Sequence, residues 1–65
     1  MTPEQVQVWA RYHKASETLA DATDELILAE QARRAGLICN TGRYEKRATV
    51  ALTEYRAARA AMEAL

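Results

Sequence analysis

The chain has 65 residues, of which 49% are hydrophobic, and its nine Lys and Arg residues balance nine Asp and Glu residues. This neutrality excludes the long-range positive field of a general nucleic-acid binder, so any such role has to rest on local patches. Fourteen alanines, two glycines, one proline and no phenylalanine favour helix over strand. Two helices of this size bury little apolar area, which predicts oligomerisation.

The first predicted helix covers about residues 3–35. Thr2 and Gln5 have the spacing of a capping box, and Pro3 stands at the first helical position, where its missing N–H costs nothing. Gly36 is placed to adopt the left-handed conformation that commonly ends a helix. The sequence therefore predicts a long helix that begins almost at residue 1.

A turn over about 36–41 separates this helix from a second one over about 42–64. Thr41 and Gly42 are both acceptable N-cap residues for the second helix. The single cysteine, Cys39, falls in the turn, where it excludes an intramolecular disulfide framework and is expected to be an exposed, inert thiol.

The opening residues 1–5 have neither the basic region nor the apolar region of a secretory signal, and no apolar run approaches membrane-spanning length. We therefore expect no membrane partner. The expected location is the cytoplasm of a bacterium or of an infected host cell.

Both predicted helices carry a heptad seam with 4-3 spacing. The first seam consists of Val8, Tyr12, Ala15, Leu19, Ala22, Leu26 and Ala29. The second seam consists of Tyr44, Ala48, Ala51, Tyr55, Ala58, Met62 and Leu65. Alternation of alanine with larger residues lets two helices approach closely.

Each helix also carries apolar or small residues outside its seam. The flank of the first seam carries Trp9, Ser16, Ala20, Thr23 and Ile27. A weaker stripe on another side of the second helix consists of Val50, Ala57, Ala61 and Ala64. One partner helix cannot cover so wide an arc. The sequence therefore predicts an all-α fold with one domain, 1–65, a two-helix antiparallel hairpin of coiled-coil type that dimerises with two-fold symmetry into a four-helix bundle.

Pairing the helices through the turn predicts a specific register. It places Thr23 near Tyr55 and Ser16 near Met62, and likewise Ile27 near Ala51 and Ala20 near Ala58. The shorter helix would then end opposite His13. About ten residues of the longer helix would extend past it with no partner in the same chain.

This predicted overhang has the composition of a protein interface, because Trp and Tyr combine a large apolar area with a polar group. Its candidate interface residues are Val6, Val8, Trp9, Tyr12 and His13. The alternative is that the other subunit of the homodimer buries the cluster. Both interpretations make it an interface, either with a second copy or with a heterologous protein.

A second candidate site is a cluster of cations at the turn end of the hairpin. Its members are Arg33, Arg34, Arg43, Lys46 and Arg47, and only Glu45 lies among them. The cluster could contact phosphates of a nucleic acid or another anion. The alternative is that the cations compensate the dipole of the first helix and are otherwise solvated.

The sequence holds no recognisable catalytic arrangement. His13 and Glu17 have a spacing that could hold a metal, but the further inward carboxylates of a bundle metal site are missing. A Gly-rich phosphate loop and a metal-binding cysteine pair are also missing from the sequence. We therefore expect no enzyme activity, no cofactor and no metal.

The leading functional prediction is a non-enzymatic protein-interaction module, a regulator, inhibitor or adaptor of another protein, such as a phage-encoded modulator of a host protein. The alternative is nucleic-acid binding, RNA or DNA, through the basic tip. In size and layout the chain is similar to Rop-type RNA-binding hairpin dimers, an architectural likeness without a shared sequence motif. That likeness implies a dimer; net neutrality disfavours nucleic acid as the partner.

Overall fold

The computed structural model describes residues 1–37 and 40–65 and contains two helices, α1 (Pro3–Arg34) and α2 (Gly42–Glu63), packed against each other. The part of the chain described contains no strand. The prediction of an all-helical, two-helix fold is therefore confirmed. The prediction of an exposed thiol at Cys39 concerns a residue outside those described.

The start of α1 is held by the predicted capping box. The Gln5 N–H donates to Thr2 Oγ1 over 3.2 Å, and the Thr2 N–H donates to Gln5 Oε1 over 3.0 Å. Pro3 occupies the first turn of the helix. Two backbone donors that an isolated helix would leave unpaired are thus satisfied by side chains, which fixes where α1 begins.

The end of α1 is a Schellman motif around Gly36, whose φ is 76°. The Gly36 N–H donates to the Arg33 carbonyl over 3.0 Å, and the Leu37 N–H donates to the Ala32 carbonyl over 2.9 Å. This is the left-handed helix end that the sequence predicts at Gly36. The Leu37 side chain stays largely exposed.

The start of α2 is capped differently from the expectation. Thr41 takes the N-cap position, as predicted, but its hydroxyl makes no capping bond and instead lies 3.4 Å from Glu45 Oε1. The side-chain cap comes from Asn40, whose Oδ1 accepts the Gly42 N–H over 3.0 Å. An Asn side chain bonding two residues onward is a common turn former, and here it satisfies an N-terminal donor of α2.

The core between the helices consists of small residues. Among the described hydrophobic residues, those that are buried are Ala15, Ala22, Ala29, Ala51 and Ala58. All five belong to the two predicted seams, and nearly all larger seam residues are half-buried around them. The seams are therefore confirmed as the faces that pack, and alanine at the contact lets the two backbones approach closely.

The register of the two helices differs from the prediction. Tyr55 faces Tyr12, with their hydroxyl oxygens 3.3 Å apart, and not Thr23. From Tyr55, α2 continues for eight residues to Glu63, which is roughly 12 Å at 1.5 Å per residue. The C-terminal end of α2 therefore runs alongside the first turns of α1, and the predicted overhang of about ten residues is wrong.

The same difference is seen at the turn end of the hairpin. Arg47 of α2 contacts Glu25 of α1, and α1 continues nine residues past Glu25 whereas α2 begins five residues before Arg47. At 1.5 Å per residue, α1 therefore extends about 6 Å beyond the start of α2. The start of α2 therefore lies beside α1, short of its C-terminal end. The predicted register placed the end of α1 level with the start of α2, which is wrong.

Candidate functional site

The hairpin has two long sides, one on either flank of the packed seams. The first, which we call the tryptophan side, is lined along α1 by Val6, Trp9, His13, Ser16, Ala20, Thr23 and Ile27, with a 3-4 spacing throughout. On this side Leu52 of α2 shares a groove of about 470 Å³ with Leu19, Thr23 and Leu26. The tryptophan side is thus apolar or small along most of its length.

The second side, which we call the ion-pair side, carries two contacts between the helices. Arg11 Nε donates to Glu54 Oε1 over 2.8 Å, and Arg47 Nη1 lies 2.6 Å from Glu25 Oε2. The second contact is an ion pair without an aligned hydrogen bond, which leaves Glu25 Oε2 shielded from solvent with no hydrogen-bond donor among the described residues.

The Arg11 and Glu54 pair perturbs both groups. The hydrogen bond and the positive charge of Arg11 hold the pKa of the Glu54 carboxyl below its usual range. The same bond and the negative charge of Glu54 raise the pKa of Arg11. Both side chains are about half exposed, so the pair makes only a small contribution to stability.

An aromatic row connects the tryptophan side to the seam. The Trp9 ring meets Tyr12 edge-on, with ring centroids 6.1 Å apart and planes at 86°. Tyr12 in turn packs on Tyr55 of α2 at 5.6 Å. The hydrogen bond between the two hydroxyls is the largest cause of a raised pKa at Tyr55.

The predicted interface cluster is divided by this arrangement. Val8 and Tyr12 are half-buried in the seam against α2. Val6 and Trp9 stay 51% and 47% exposed, and His13 is exposed with its Nε2 3.0 Å from Glu17 Oε1. Three of the five residues are therefore accessible, while Val8 and Tyr12 pack inside the hairpin.

Sequence reasoning missed Tyr55 as the neighbour of this cluster. It placed Tyr55 opposite Thr23, about three turns away along α1. The available signal was the match of two tyrosines at equivalent seam positions, Tyr12 and Tyr55, since paired aromatic residues often contact across antiparallel helices.

The basic cluster at the turn end is also divided. Arg47 is paired with Glu25. Within the described ranges, the remaining four cations make no ion pair, and all four are exposed: Arg33, Arg34, Arg43 and Lys46. Glu45, the acid expected to neutralise the cluster, accepts a long hydrogen bond from Thr41. A net positive patch thus remains at this end.

Two of these cations rim an apolar depression on the ion-pair side. Val50 is 61% exposed there, in a groove of about 500 Å³ that Arg43 and Lys46 also line. Such a groove can accept an apolar side chain whose neighbours are acidic.

Residues 1–37 and 40–65 include no group of three or more side chains able to hold a metal ion. Neither described helix combines the length and apolarity needed to cross a membrane. No protein-family model, curated protein or solved structure matches the chain.

Proposed function

We propose that the chain is a non-enzymatic protein-interaction module, a helical hairpin that dimerises into a four-helix bundle and that also regulates, inhibits or adapts another protein. One observation carries the proposal: the described apolar core consists of five alanines, while much larger apolar side chains lie on the surface. These exposed residues are Val6, Trp9, Ile27, Leu28, Val50 and Leu65, with Met1 and Leu37 at the ends of α1. A hairpin with so small a core gains most by burying these side chains against other chains.

The two sides of the hairpin suit two different binding partners. The tryptophan side is long, continuous and poor in charge along α1, which suits a second helical hairpin. The ion-pair side offers a short apolar groove at Val50 with cations on its rim, which suits a heterologous partner with an apolar anchor and acidic neighbours. Dimerisation and partner binding can then occur together.

The test is affinity capture with the full chain and three single variants. Val50→Asp places a charge in the groove, and Trp9→Ala truncates the opposite side. Ala60→Asp is the matched control, because Ala60 is exposed on the face of α2 opposite its seam. We expect a defined protein to be retained by the wild type and by Ala60→Asp and lost with Val50→Asp. Equal capture by all four chains would contradict the proposal.

A second candidate function is nucleic-acid binding at the turn end. Its support is the exposed cluster of Arg33, Arg34, Arg43 and Lys46 without ion pairs in the described part of the chain. Phosphate contacts by these cations would make binding fall steeply with salt. We expect Arg43→Ala with Lys46→Ala to remove such binding, and an RNA or DNA duplex that fails to bind at low salt would eliminate this function.

A further inference from the structure

We infer that the tryptophan side is occupied by a second copy of this chain, related by a two-fold axis that runs through this side at the height of Thr18 in α1 and of Leu52 in α2. The inference rests on the dimerisation in the proposed function and adds its orientation and register. In this dimer α1 packs antiparallel on α1 of the other copy, and α2 packs antiparallel on α2. The axis runs perpendicular to the helices.

The first support is the arrangement of side chains along α1. A two-fold axis at Thr18 brings each residue opposite the residue equally far on the other side of position 18. Trp9 is then opposite Ile27 of the second copy, and Ser16 is opposite Ala20. The large exposed residues stand at the ends of the stripe and the small ones at its centre. Six members of the stripe, from Trp9 to Ile27, therefore fall opposite one another when the stripe is reversed, as antiparallel packing requires, whereas Val6 falls opposite Glu30.

The second support is an independent charge pattern on α2. Glu45 and Arg59 lie seven residues before and seven residues after Leu52. An axis at Leu52 therefore places Glu45 opposite Arg59 of the second copy, twice per dimer, with the two Leu52 side chains in contact at the centre. Within its own chain Arg59 contacts Glu63 at 3.0 Å and is more than half exposed. It can accept a second carboxylate without losing the first.

The third support is that the two centres, at Thr18 in α1 and at Leu52 in α2, lie at the same height along the hairpin. On the tryptophan side Leu52 shares a groove with Leu19, and on the other side Ala51 shares a cavity with Thr18. One axis can therefore pass through both centres. The patterns on α1 and α2 involve different side chains, and only a second copy of this chain requires their centres to coincide; a heterologous partner requires neither pattern nor coincidence.

The first test is disulfide cross-linking of the full chain in a Cys39→Ser background. Leu52→Cys places two identical thiols at the axis, where mild oxidation should give a covalent dimer. Ala60→Cys is the matched control, because Ala60 is exposed on the opposite face of α2. We expect rapid cross-linking of Leu52→Cys and slow, collision-limited cross-linking of Ala60→Cys. Equal rates would overturn the inference.

The second test leaves Leu52 intact and uses charge exchange between chains. Glu45→Arg and Arg59→Glu each place like charges opposite each other in their own homodimers. A mixture restores opposite charges at both positions, so heterodimers should be about tenfold more stable than either homodimer. Native mass spectrometry distinguishes the three species, and a statistical mixture would overturn the proposed register.

Failure of the dimer and failure of the partner-binding function are distinguishable. If the wild type sediments as a monomer at all concentrations, the inferred dimer is wrong, and capture that depends on Val50 still reports on partner binding. If cross-linking succeeds and capture does not depend on Val50, the dimer stands and the regulator function is wrong.

Discussion

The hydroxyl oxygens of Tyr12 and Tyr55 lie 3.3 Å apart and join α1 to α2 at one defined height. The contact marks the register of the hairpin, because it places Tyr55 of α2 level with Tyr12 of α1, next to the Arg11 and Glu54 pair. Through Tyr12 it also fixes the Trp9 ring, which packs edge-on against it.

This contact predicts a loss of stability at alkaline pH. The pKa of Tyr55 is raised because its hydroxyl shares a hydrogen bond with Tyr12 and the two would repel when ionised. A pKa raised on folding contributes stability below the unfolded value of about 10 and loses it as the pH rises through the folded value. Tyr12→Phe should flatten this loss in urea unfolding between about pH 8 and pH 11. Tyr44→Phe keeps the contact between Tyr12 and Tyr55, so its free energy of unfolding should fall with pH as steeply as that of the wild type.

At acidic pH, the stability of the hairpin is expected to depend on Glu54. Its pKa is lowered by Arg11, so the pair contributes stability above the unfolded pKa of about 4.3 and loses it as the pH falls through the lower folded value. Glu54→Gln should therefore lose less stability than the wild type on acidification, measured by circular dichroism. Asp21→Asn, at an exposed position, is the control. An unchanged acid profile in Glu54→Gln would contradict the role of the pair.

The alanine core predicts intolerance of larger side chains. Ala58 is fully buried, at 0% exposure, between the two helices. Ala58→Leu should lower the free energy of unfolding by about 1–3 kcal/mol, because the close contact leaves no space for three more carbons. Ala60→Leu, on the exposed face of the same helix, should change it by less than about 0.5 kcal/mol. Urea unfolding at equal chain concentration measures both, and equal effects would show that the seam is not closely packed.

The end of α1 predicts a purely conformational effect at Gly36. Its φ of 76° lies in the left-handed region, and an added Cβ would meet nothing within 4 Å. Gly36→Ala should therefore lower the free energy of unfolding by about 1–2 kcal/mol through backbone strain alone. Gly36→Asn should cost less, since Asn tolerates this conformation better. Thermal unfolding that ranks the two variants in the reverse order would contradict this account.

The seams could be predicted from the sequence, whereas their register could not. Heptad spacing identifies which stripe of a helix packs, and both predicted stripes do so. Moving the contact from Thr23 to Tyr12 is a shift of eleven residues, or about three turns, after which nearly the same stripe faces the partner. The heptad spacing therefore cannot distinguish the two registers. The register is seen in contacts between particular side chains, such as Tyr12 with Tyr55 and Arg47 with Glu25, which residue spacing does not encode.

The residues of the candidate site could be named from the sequence, but which of them are exposed and which are buried could not. Trp9 is exposed because it lies beside the seam and not because of the predicted overhang, and the burial of Val8 and Tyr12 follows from the register. Similarly, the pairing of Arg47 with Glu25 requires the first turns of α2 to lie in space beside the part of α1 that precedes its C-terminal end. Both errors have one origin, the wrongly predicted register of the two helices.

The antiparallel dimer makes a last prediction about Trp9. Ile27 is eighteen residues away on the same helix, about 27 Å, so the two side chains cannot meet within one chain. In the covalent Leu52→Cys dimer, Ile27→Asp should shift Trp9 fluorescence to longer wavelength, because the inferred register places the new carboxylate beside the indole of the other copy. Leu28→Asp adds the same charge at an exposed position on another face of α1 and should leave the emission unchanged. Equal shifts in both variants would mean that the effect is a general loss of structure, and no shift in either would place Ile27 away from Trp9.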